Sequence, residues 1–295
     1  MCPERSARSQ PPVPISLPYR LLRPLLFRLD AEAAHGAGVA AARLGQRAPG
    51  VVRALFPRAD ARLAQTVWGL RFASPVGLAA GFDKNAALVR FWAALGLGSA
   101  EVGSVSARAS AGNPRPRAFR LPADRALVNR MGLNNDGAEA VAARLAATPR
   151  PPGFVVGVNV AKTHSPDILG DAGVDDFRQS VRALAPQADY LALNVSCPNT
   201  AEGKTFEEAE ALDGLLAAVM AEVREGAASR AADRSPLPVL VKLSPPGAGG
   251  VDAGAVDELV AICLRHGVDG FIATNTASDR AGLATEAGAV ERIGR

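Results

Sequence analysis

The stretch YLALNVSCPNT, residues 190–200, joins an apolar run to a polar loop. The apolar part predicts a buried strand, and Pro198 restricts the backbone of the loop that follows it. The loop offers two amides, Asn194 and Asn199, around the thiol of Cys197. Amides both donate and accept hydrogen bonds, which suits a ring with alternating amide groups such as a pyrimidine. The thiol is either a nucleophile or base with a lowered pKa, or a small buried residue.

The same change from apolar run to polar residue recurs along the chain. The candidate strands are 75–79, 99–103, 154–159, 190–194, 239–242 and 270–274, and the helical patterns between them are 85–94, 136–147, 174–184, 207–225 and 252–266. This alternation predicts a parallel sheet wrapped by helices. Asn159, Asn194, Lys242 and Thr274 end their strands, which favours a closed (β/α)8 barrel. A doubly wound open sheet would also bind ligands at its strand ends.

Three other segments add polar groups to the same edge of the predicted sheet. GLAAGFDKN, residues 77–85, combines small residues with a lysine, and small residues let a backbone approach a flat ligand closely. NRMGLNN, residues 129–135, lies in a long excursion predicted between 105 and 153. ATNT, residues 273–276, follows a late strand. Each segment alone is also compatible with ordinary loop capping, so the prediction of a site rests on their accumulation.

Composition excludes several classes of protein. Of the 295 residues 48% are hydrophobic, and Lys+Arg 33 against Asp+Glu 29 leave a formal charge of +4 without long runs of one sign. This predicts a folded chain and no nucleic-acid partner. The three cysteines have no paired spacing, so we expect no metal site and a reducing compartment. The sequence contains neither a membrane-spanning run nor a signal-peptide core.

The first 60 residues differ in pattern from the rest. Residues 1–16 are rich in Pro, Ser and Arg, and we expect a disordered tail. Leucines at helical spacing with arginines between them, then AEAAHGAGVAAARLG, predict two helices over 17–45. These helices either pack on the core of the domain or face a membrane surface with the arginines near the headgroups.

Seven motifs in order identify a resemblance: LDAEAAH, GLAAGFDKN, GNPRPRAFRL, NRMGLNN, NVSCPNT, VKLSP and ATNT. Over residues 18–280 the chain resembles dihydroorotate dehydrogenase, in its membrane-associated, quinone-using class. The resemblance implies an FMN-binding (β/α)8 TIM barrel over 61–295, preceded by a helical subdomain over 17–60 that forms the quinone entrance. It implies oxidation of dihydroorotate to orotate in pyrimidine (UMP) biosynthesis. It also implies peripheral association with the cytoplasmic side of the cell membrane through residues 17–45.

The resemblance also implies roles for individual residues. The flavin contacts would be Ala80, Gly81, Lys84, Ser104, Asn159, Asn194, Lys242 and Thr274. The substrate contacts would be Lys84, Asn129, Arg130, Met131, Gly132, Leu133, Asn194, Asn199, Asn275 and Thr276. Cys197 falls at the position of the base that removes a proton from carbon 5 while a hydride leaves carbon 6 for flavin N5. Lys242 would stabilise negative charge on the reduced ring.

The sequence departs from the quinone-using class at three places. That class usually carries Ser at the base position, whereas Cys is typical of the soluble class, and AEGKTFEE after the motif differs from the usual continuation. After Arg280 the chain reads AGLATEAGAVERIGR, without the glycine-rich turn and the two βα units that hold the FMN phosphate. We therefore expect a barrel that lacks its last two βα units.

Three alternatives stay open at this point. The first is a soluble dihydroorotate dehydrogenase linked to fumarate or NAD. The second is a tRNA dihydrouridine synthase, also an FMN barrel, which would need a basic RNA-binding extension. The third is a truncated, non-catalytic remnant of the family.

Overall fold

A computed structural model describes residues 17–56, 59–196, 206–226, 236–246 and 254–293. The predicted tail over 1–16 and the loop residues Cys197 and Asn199 lie outside these ranges. The strands are β1 (Gln65–Val67), β2 (Leu70–Phe72), β3 (Gly77–Leu78), β4 (Ser99–Val105), β5 (Ala118–Leu121), β6 (Ala126–Asn129), β7 (Val155–Val160), β8 (Tyr190–Asn194), β9 (Val239–Leu243) and β10 (Gly270–Ala273). The helices are α1 (Leu17–Leu26), α2 (Ala31–Gly45), α3 (Pro49–Leu55), α4 (Val89–Leu95), α5 (Ala138–Ala147), α6 (Asp171–Leu184), α7 (Ala209–Gly226), α8 (Val256–Arg265) and α9 (Ala287–Ile293).

The central element is a parallel sheet whose strands lie in chain order. Within the described ranges it has six strands, in the order β3-β4-β7-β8-β9-β10, with every neighbouring pair parallel. A helix lies between each consecutive pair of these strands along the chain. Strand after helix after strand in spatial order is the progression of a β/α barrel, so the predicted fold class is confirmed as a partial (β/α) barrel. All six predicted strands are present.

Side chains alternate between the two faces of the sheet, except at an irregularity of β4 between Val102 and Val105. On the outer face Val156, Val158, Leu191, Leu193 and Val241 are buried in the large core shared with the helices. In the register of the strands, the inner face carries Glu101, Gly157 and Tyr190 in one row, then Asn159, Ala192 and Leu240, then Asn194 and Lys242. The barrel interior is therefore polar at the carboxyl ends of the strands.

A short antiparallel hairpin closes the amino-terminal end of the barrel. Strands β1 and β2 meet at Trp68 and Gly69, which both have positive φ (53° and 74°). The Trp68 indole packs on the inner cluster that contains Tyr190 and Leu240. Its Nε1 donates to the Asp269 carbonyl at 3.2 Å. This hairpin was not predicted from the sequence, because three-residue strands are too short to show a period of two.

The long excursion forms a second hairpin, β5–β6, above the carboxyl ends of the strands. Asn135 anchors its return to the barrel: its Nδ2 donates to Ser106 Oγ at 2.8 Å, and its main chain pairs with Ser110. At the other end of the hairpin, the Asp124 carboxylate accepts the Thr285 N–H at 3.1 Å and the Thr285 hydroxyl. The hairpin is thereby tied both to β4 and to the segment before α9.

All five helices predicted between the strands begin at other positions. Helices α5, α7 and α8 begin at Ala138, Ala209 and Val256 rather than at 136, 207 and 252, and α4 and α6 show a local cause. Helix α4 begins at Val89 rather than residue 85, because Asp83 accepts the N–H groups of Ala87 and Leu88 and holds a turn ahead of the helix. Helix α6 begins at Asp171, three residues earlier than predicted, directly after Gly170 at φ 52°. Both differences arise from local turns that apolar spacing does not encode.

Candidate functional site

A cavity of about 1490 Å³ lies above the carboxyl ends of the sheet. Three walls enclose it: the ends of the parallel strands, the β5–β6 hairpin, and the helices α1 and α2. The barrel supplies its polar side with Ser104, Asn194 and Lys242, and the helices supply a largely apolar mouth. The cavity therefore runs from the barrel interior to the surface of the helical segment.

Most of the residues predicted to form the site line this one cavity. From the predicted flavin set these are Ala80, Gly81, Lys84, Ser104, Asn194 and Lys242, and from the predicted substrate set they are Lys84, Asn129, Met131, Gly132, Leu133, Asn194, Asn275 and Thr276. They come from six separate places in the sequence, from residue 80 to residue 276. Their roles as contacts stay predictions, as does the role of Cys197 and Asn199 outside the described ranges.

Three predicted residues lie elsewhere. The guanidinium of Arg130 donates to the Pro116 carbonyl at 3.1 Å and stacks on Phe119, so its side chain belongs to the hairpin. Asn159 is fully buried beneath the cavity. Thr274 is exposed, and its hydroxyl donates to the Asn275 carbonyl at 2.9 Å.

A chain of hydrogen bonds connects the cavity to the barrel interior. Asn275 Nδ2 donates to Asn194 Oδ1 at 3.3 Å, and Asn194 Nδ2 donates to Ser104 Oγ at 2.9 Å. Ser104 Oγ in turn donates to Asn159 Oδ1, and Asn159 Nδ2 donates to a carboxylate oxygen of Glu101 at 2.9 Å. The chain crosses from β10 through β8, β4 and β7, so it fixes the amides of several strands relative to one another.

Glu101 is a buried charged residue at the end of this chain of hydrogen bonds that was not predicted from the sequence. It lies on the inner face of β4 with 6% of its surface exposed, and its second oxygen accepts the Tyr190 hydroxyl at 3.1 Å. Burial raises the pKa of the Glu101 carboxyl, while the charge of Lys242 opposes that rise. An acidic residue inside the strand SAEVGSV was the available signal, because a charge seldom lies in a buried strand without a partner.

Two lysines bring positive charge to the cavity. Lys84 follows β3, and its Nζ donates to Asn134 Oδ1 at 2.7 Å. Lys242 is half-buried on β9, next to Asn194 of β8 in the register of the sheet. Lysine ammonium groups are strong donors to anionic oxygens and can stabilise negative charge on a bound ring.

The turn at Gly81 leaves open space beside the main chain in the cavity. Gly81 has φ 114°, and a Cβ added there would meet no atom within 4 Å. Its N–H donates to the Gly103 carbonyl at 2.7 Å, which holds the turn against β4. A glycine beside open cavity space at this φ leaves room for a flat ring against the main chain.

Aromatic and basic residues of α1 and α2 form the mouth of the cavity. His35 makes an edge contact with Phe82, with ring centroids 4.6 Å apart, and burial together with the nearby charge of Lys84 lowers the pKa of His35. The Phe27 ring lies between the guanidinium groups of Arg23 and Arg120, at 4.8 and 4.9 Å. The mouth thus combines rings with fixed positive charge.

An ion pair holds α2 against the hairpin. One oxygen of Glu32 accepts Arg117 Nη2 at 2.9 Å and Arg115 Nε at 3.1 Å, and the Arg117 side chain is 7% exposed. Arg120 adds a hydrogen bond to the Leu29 carbonyl at 2.7 Å. A bond from each of three arginines keeps the helical segment on the rim of the cavity.

Two features are absent from the described residues. Among those residues, no three His, Cys, Asp or Glu side chains cluster as a metal ion would require. In the same part of the chain no helix has the length and apolar character needed to cross a bilayer.

Known proteins resemble this chain over most of its length. The family model described as Dihydroorotate dehydrogenase matches residues 62–293. A Gloeobacter violaceus protein named Dihydroorotate dehydrogenase (quinone) is 44% identical over 272 residues, which are 91% of this chain and 71% of that protein. A Mycobacterium marinum protein of the same name is 45% identical over 271 residues, 90% of this chain and 69% of that protein.

Solved structures agree with the sequence matches. The crystal structure of DHODH from Eimeria tenella in complex with ferulenol has a TM-score of 0.73 and 30% identity, covering 86% of this chain and 68% of that chain. The ligand-free form from the same organism also has a TM-score of 0.73, with 31% identity, covering 87% of this chain and 72% of that chain. By its sequence, its partial barrel and the cavity at the strand ends, the chain belongs to the dihydroorotate dehydrogenase family.

Proposed function

We propose that this protein oxidises dihydroorotate to orotate in pyrimidine biosynthesis, with FMN as hydride acceptor and a quinone as the final electron acceptor. The observation that carries the proposal is the single cavity that joins the amides and lysines at the strand ends to a mouth between α1 and α2. Such a cavity has room for a flavin, a substrate on one face of its ring, and an apolar acceptor at the mouth.

The residues present fit the flavin ring of FMN. Gly81 leaves space beside the main chain, while Ser104 and Asn194 offer a hydroxyl and an amide to the polar edge of a ring. Lys242 provides a fixed positive charge on the same side of the cavity. FMN would supply the hydride-accepting chemistry, and these side chains would hold and orient it.

The amides of Asn129, Asn194 and Asn275 suit the alternating donors and acceptors of a pyrimidine ring. Lys84 is the cation for the substrate carboxylate. In our proposal Cys197 accepts the proton from carbon 5 as the hydride leaves carbon 6. Binding by several fixed amides would orient both carbon atoms before the reaction.

Helix α1 supports a quinone acceptor and peripheral binding to the cytoplasmic face of the cell membrane. Leu21, Leu22 and Leu25 are 70%, 53% and 59% exposed, so the leucine stripe does not pack on the core. Arg20 and Arg23 lie on the same helix beside the mouth of the cavity. An exposed apolar face flanked by arginines is typical of a helix that lies in the headgroup region, where quinones are available.

Steady-state assays with FMN-loaded protein test the proposal. Orotate formation is measured with a quinone, with fumarate and with NAD as acceptor, and we expect turnover with the quinone. Lys242→Met should lower kcat by about 100-fold, because an electrostatic contact to the reduced ring is lost. Arg265→Gln, an exposed change on α8, is the matched control and should leave kcat unchanged. Turnover with fumarate or NAD alone would contradict the quinone assignment.

A further inference from the structure

Glu101 has no role in the reaction proposed above, yet it occupies the centre of the barrel. It lies on the inner face of β4 beneath the cavity, paired with Gly157 in the register of β4 and β7. Only 6% of its surface is exposed. A buried carboxylate is costly unless it is paired and hydrogen-bonded, so its surroundings require an explanation.

The hydrogen bonds around Glu101 all run in one direction. Starting at the cavity, each donor points inward, from Asn275 to Asn194, Ser104 and Asn159 in turn, and the last donor reaches Glu101. An amide can rotate to exchange its oxygen and nitrogen, but a carboxylate only accepts. The Glu101 carboxylate therefore decides which atom Asn159 presents and, through Ser104, which atom Asn194 presents. Asn275 Nδ2, in contrast, is also held by the Ser196 carbonyl at 2.7 Å.

The geometry also favours the ionised form of Glu101. One oxygen accepts from the Asn159 amide and the other from the Tyr190 hydroxyl, at 2.9 and 3.1 Å. Burial raises the pKa of the Glu101 carboxyl, and the charge of Lys242 and the two hydrogen bonds act against that rise. Two donors and a cation facing a carboxyl group stabilise its charged state.

We propose that Glu101 is a positioning residue of the flavin site, a carboxylate that sets the direction of the amide chain and partly offsets the positive charge Lys242 brings to the ring. This inference rests on the proposed function, because it assigns Lys242 to the flavin. Its consequence is electrostatic: the buried negative charge makes the site less favourable for electron-rich reduced FMN than Lys242 alone would.

The test compares the affinities of the protein for reduced and oxidised FMN. Glu101→Gln keeps an oxygen for Asn159 and offers an N–H to Tyr190, so it removes the charge with little change of shape. We expect the preference for reduced FMN to increase about tenfold, a rise in midpoint potential of about 30 mV for a two-electron couple. Reduction with dithionite makes this measurement independent of dihydroorotate.

Two further variants separate charge from packing. Glu101→Asp keeps the charge. Tyr190→Phe removes one hydrogen-bond donor while Glu101 stays in place. In both variants the ratio of the affinities for reduced and oxidised FMN should stay within about twofold of wild type. An unchanged ratio in Glu101→Gln, or a tenfold change in either of the other variants, would overturn the inference. If the Gln variant does not fold, Glu101→Met, which also removes the charge at similar length, is measured in its place against the same limits.

The outcomes for the two proposals are distinct. Wild-type protein that binds FMN and responds to Glu101→Gln as expected, but does not oxidise dihydroorotate, supports the inference and overturns the proposed reaction. Wild-type protein that binds no FMN overturns both the inference and the proposed cofactor.

Discussion

Cys197 is the residue whose chemistry separates this chain most clearly from the quinone-using class that it resembles. A thiol with an ordinary pKa of about 8.5 is a far better base at neutral pH than a hydroxyl. We therefore expect Cys197→Ser to lower kcat at least about tenfold at neutral pH and to move the rising limb of the pH profile to higher pH.

A second cysteine provides the control for that change. Cys263 is fully buried on α8, and burial raises the pKa of its thiol to about 11. Cys263→Ala should leave the pH profile of kcat in place, because this thiol lies among core side chains. Coincident profiles for wild type and Cys197→Ser would refute the assignment of Cys197 as the base.

The pKa of the Tyr190 phenol depends on the charge of Glu101 beside it. Burial, and next the negative charge of Glu101, raise the pKa of the Tyr190 phenol above its ordinary value near about 10. The chain has two tyrosines, and Tyr19 is exposed, so a Tyr19→Phe variant isolates the buried one. When the Tyr19→Phe variant is titrated with base, its ultraviolet absorbance should show no phenolate at any pH at which the protein stays folded.

The same shift has a consequence for stability. In the unfolded chain Tyr190 ionises near pH about 10, but in the folded chain it stays protonated to higher pH. The stabilisation from this shift is complete below pH about 10. The free energy of unfolding should fall as the pH rises from there through the higher pKa of Tyr190 in the folded chain. Ionisation of Tyr190 near pH 10 in folded protein would contradict the arrangement with Glu101.

Residue-scale prediction from sequence worked where a side chain ends a strand. Asn194 and Lys242 were found because parallel strands bring their carboxyl ends to one edge. Glu101 lies two residues deeper, where sequence alone does not distinguish a functional charge from a salt bridge of the core. The position of the Arg130 side chain depends on Phe119 across the hairpin, a contact that no local pattern encodes.

At the scale of elements, the fit of β7 to β8 depends on one glycine. A Cβ added to Gly157 would lie 2.0 Å from Cζ of Tyr190, so the ring occupies the space that the glycine leaves. Gly157→Ala should lower the free energy of unfolding by about 3 kcal/mol, because the ring must move and release Glu101. Chemical denaturation measures this change.

Gly214 gives the matched control for that substitution. It lies within α7, and a Cβ added there would meet no atom within 4 Å. Gly214→Ala should raise the free energy of unfolding by up to about 1 kcal/mol through helix propensity. Equal effects of the two substitutions would contradict the packing described for Tyr190.

Helix α1 offers a test of membrane association. Replacing the exposed Leu21, Leu22 and Leu25 with Gln removes about 2 kcal/mol or more of apolar burial in a bilayer, so binding to vesicles of anionic lipid should fall at least tenfold. Leu264→Gln, at a 62% exposed position on α8, is the control and should bind as wild type does. Cosedimentation measures both, and equal binding of all three proteins would contradict a role for α1.

Some elements could be predicted from the sequence and others could not. Long apolar runs predicted β4, β7 and β8 because both faces of these strands are buried. The β1–β2 hairpin escaped prediction because its two strands have three residues each and its turn relies on a positive φ at Trp68. Periodicity therefore predicts the barrel wall, while the closure of its lower end follows from tertiary contacts.

At the scale of the whole molecule, the barrel, the excursion hairpin and the helical segment meet at one cavity of about 1490 Å³. Glu32 and Arg117 join the helices to the hairpin, and Asn135 joins the hairpin to the barrel. This arrangement gives a continuous cavity from the polar strand ends to helix α1. We infer that electrons enter from a polar substrate at one end and leave to an apolar acceptor at the other.

Anaerobic rapid mixing tests this central claim most directly. Protein loaded with FMN is mixed with dihydroorotate, and the visible absorbance of the oxidised flavin is followed before and after a quinone is added. The account predicts that dihydroorotate bleaches the absorbance and that the quinone restores it, each in a single turnover. FMN-loaded protein whose spectrum stays unchanged by dihydroorotate would contradict the account.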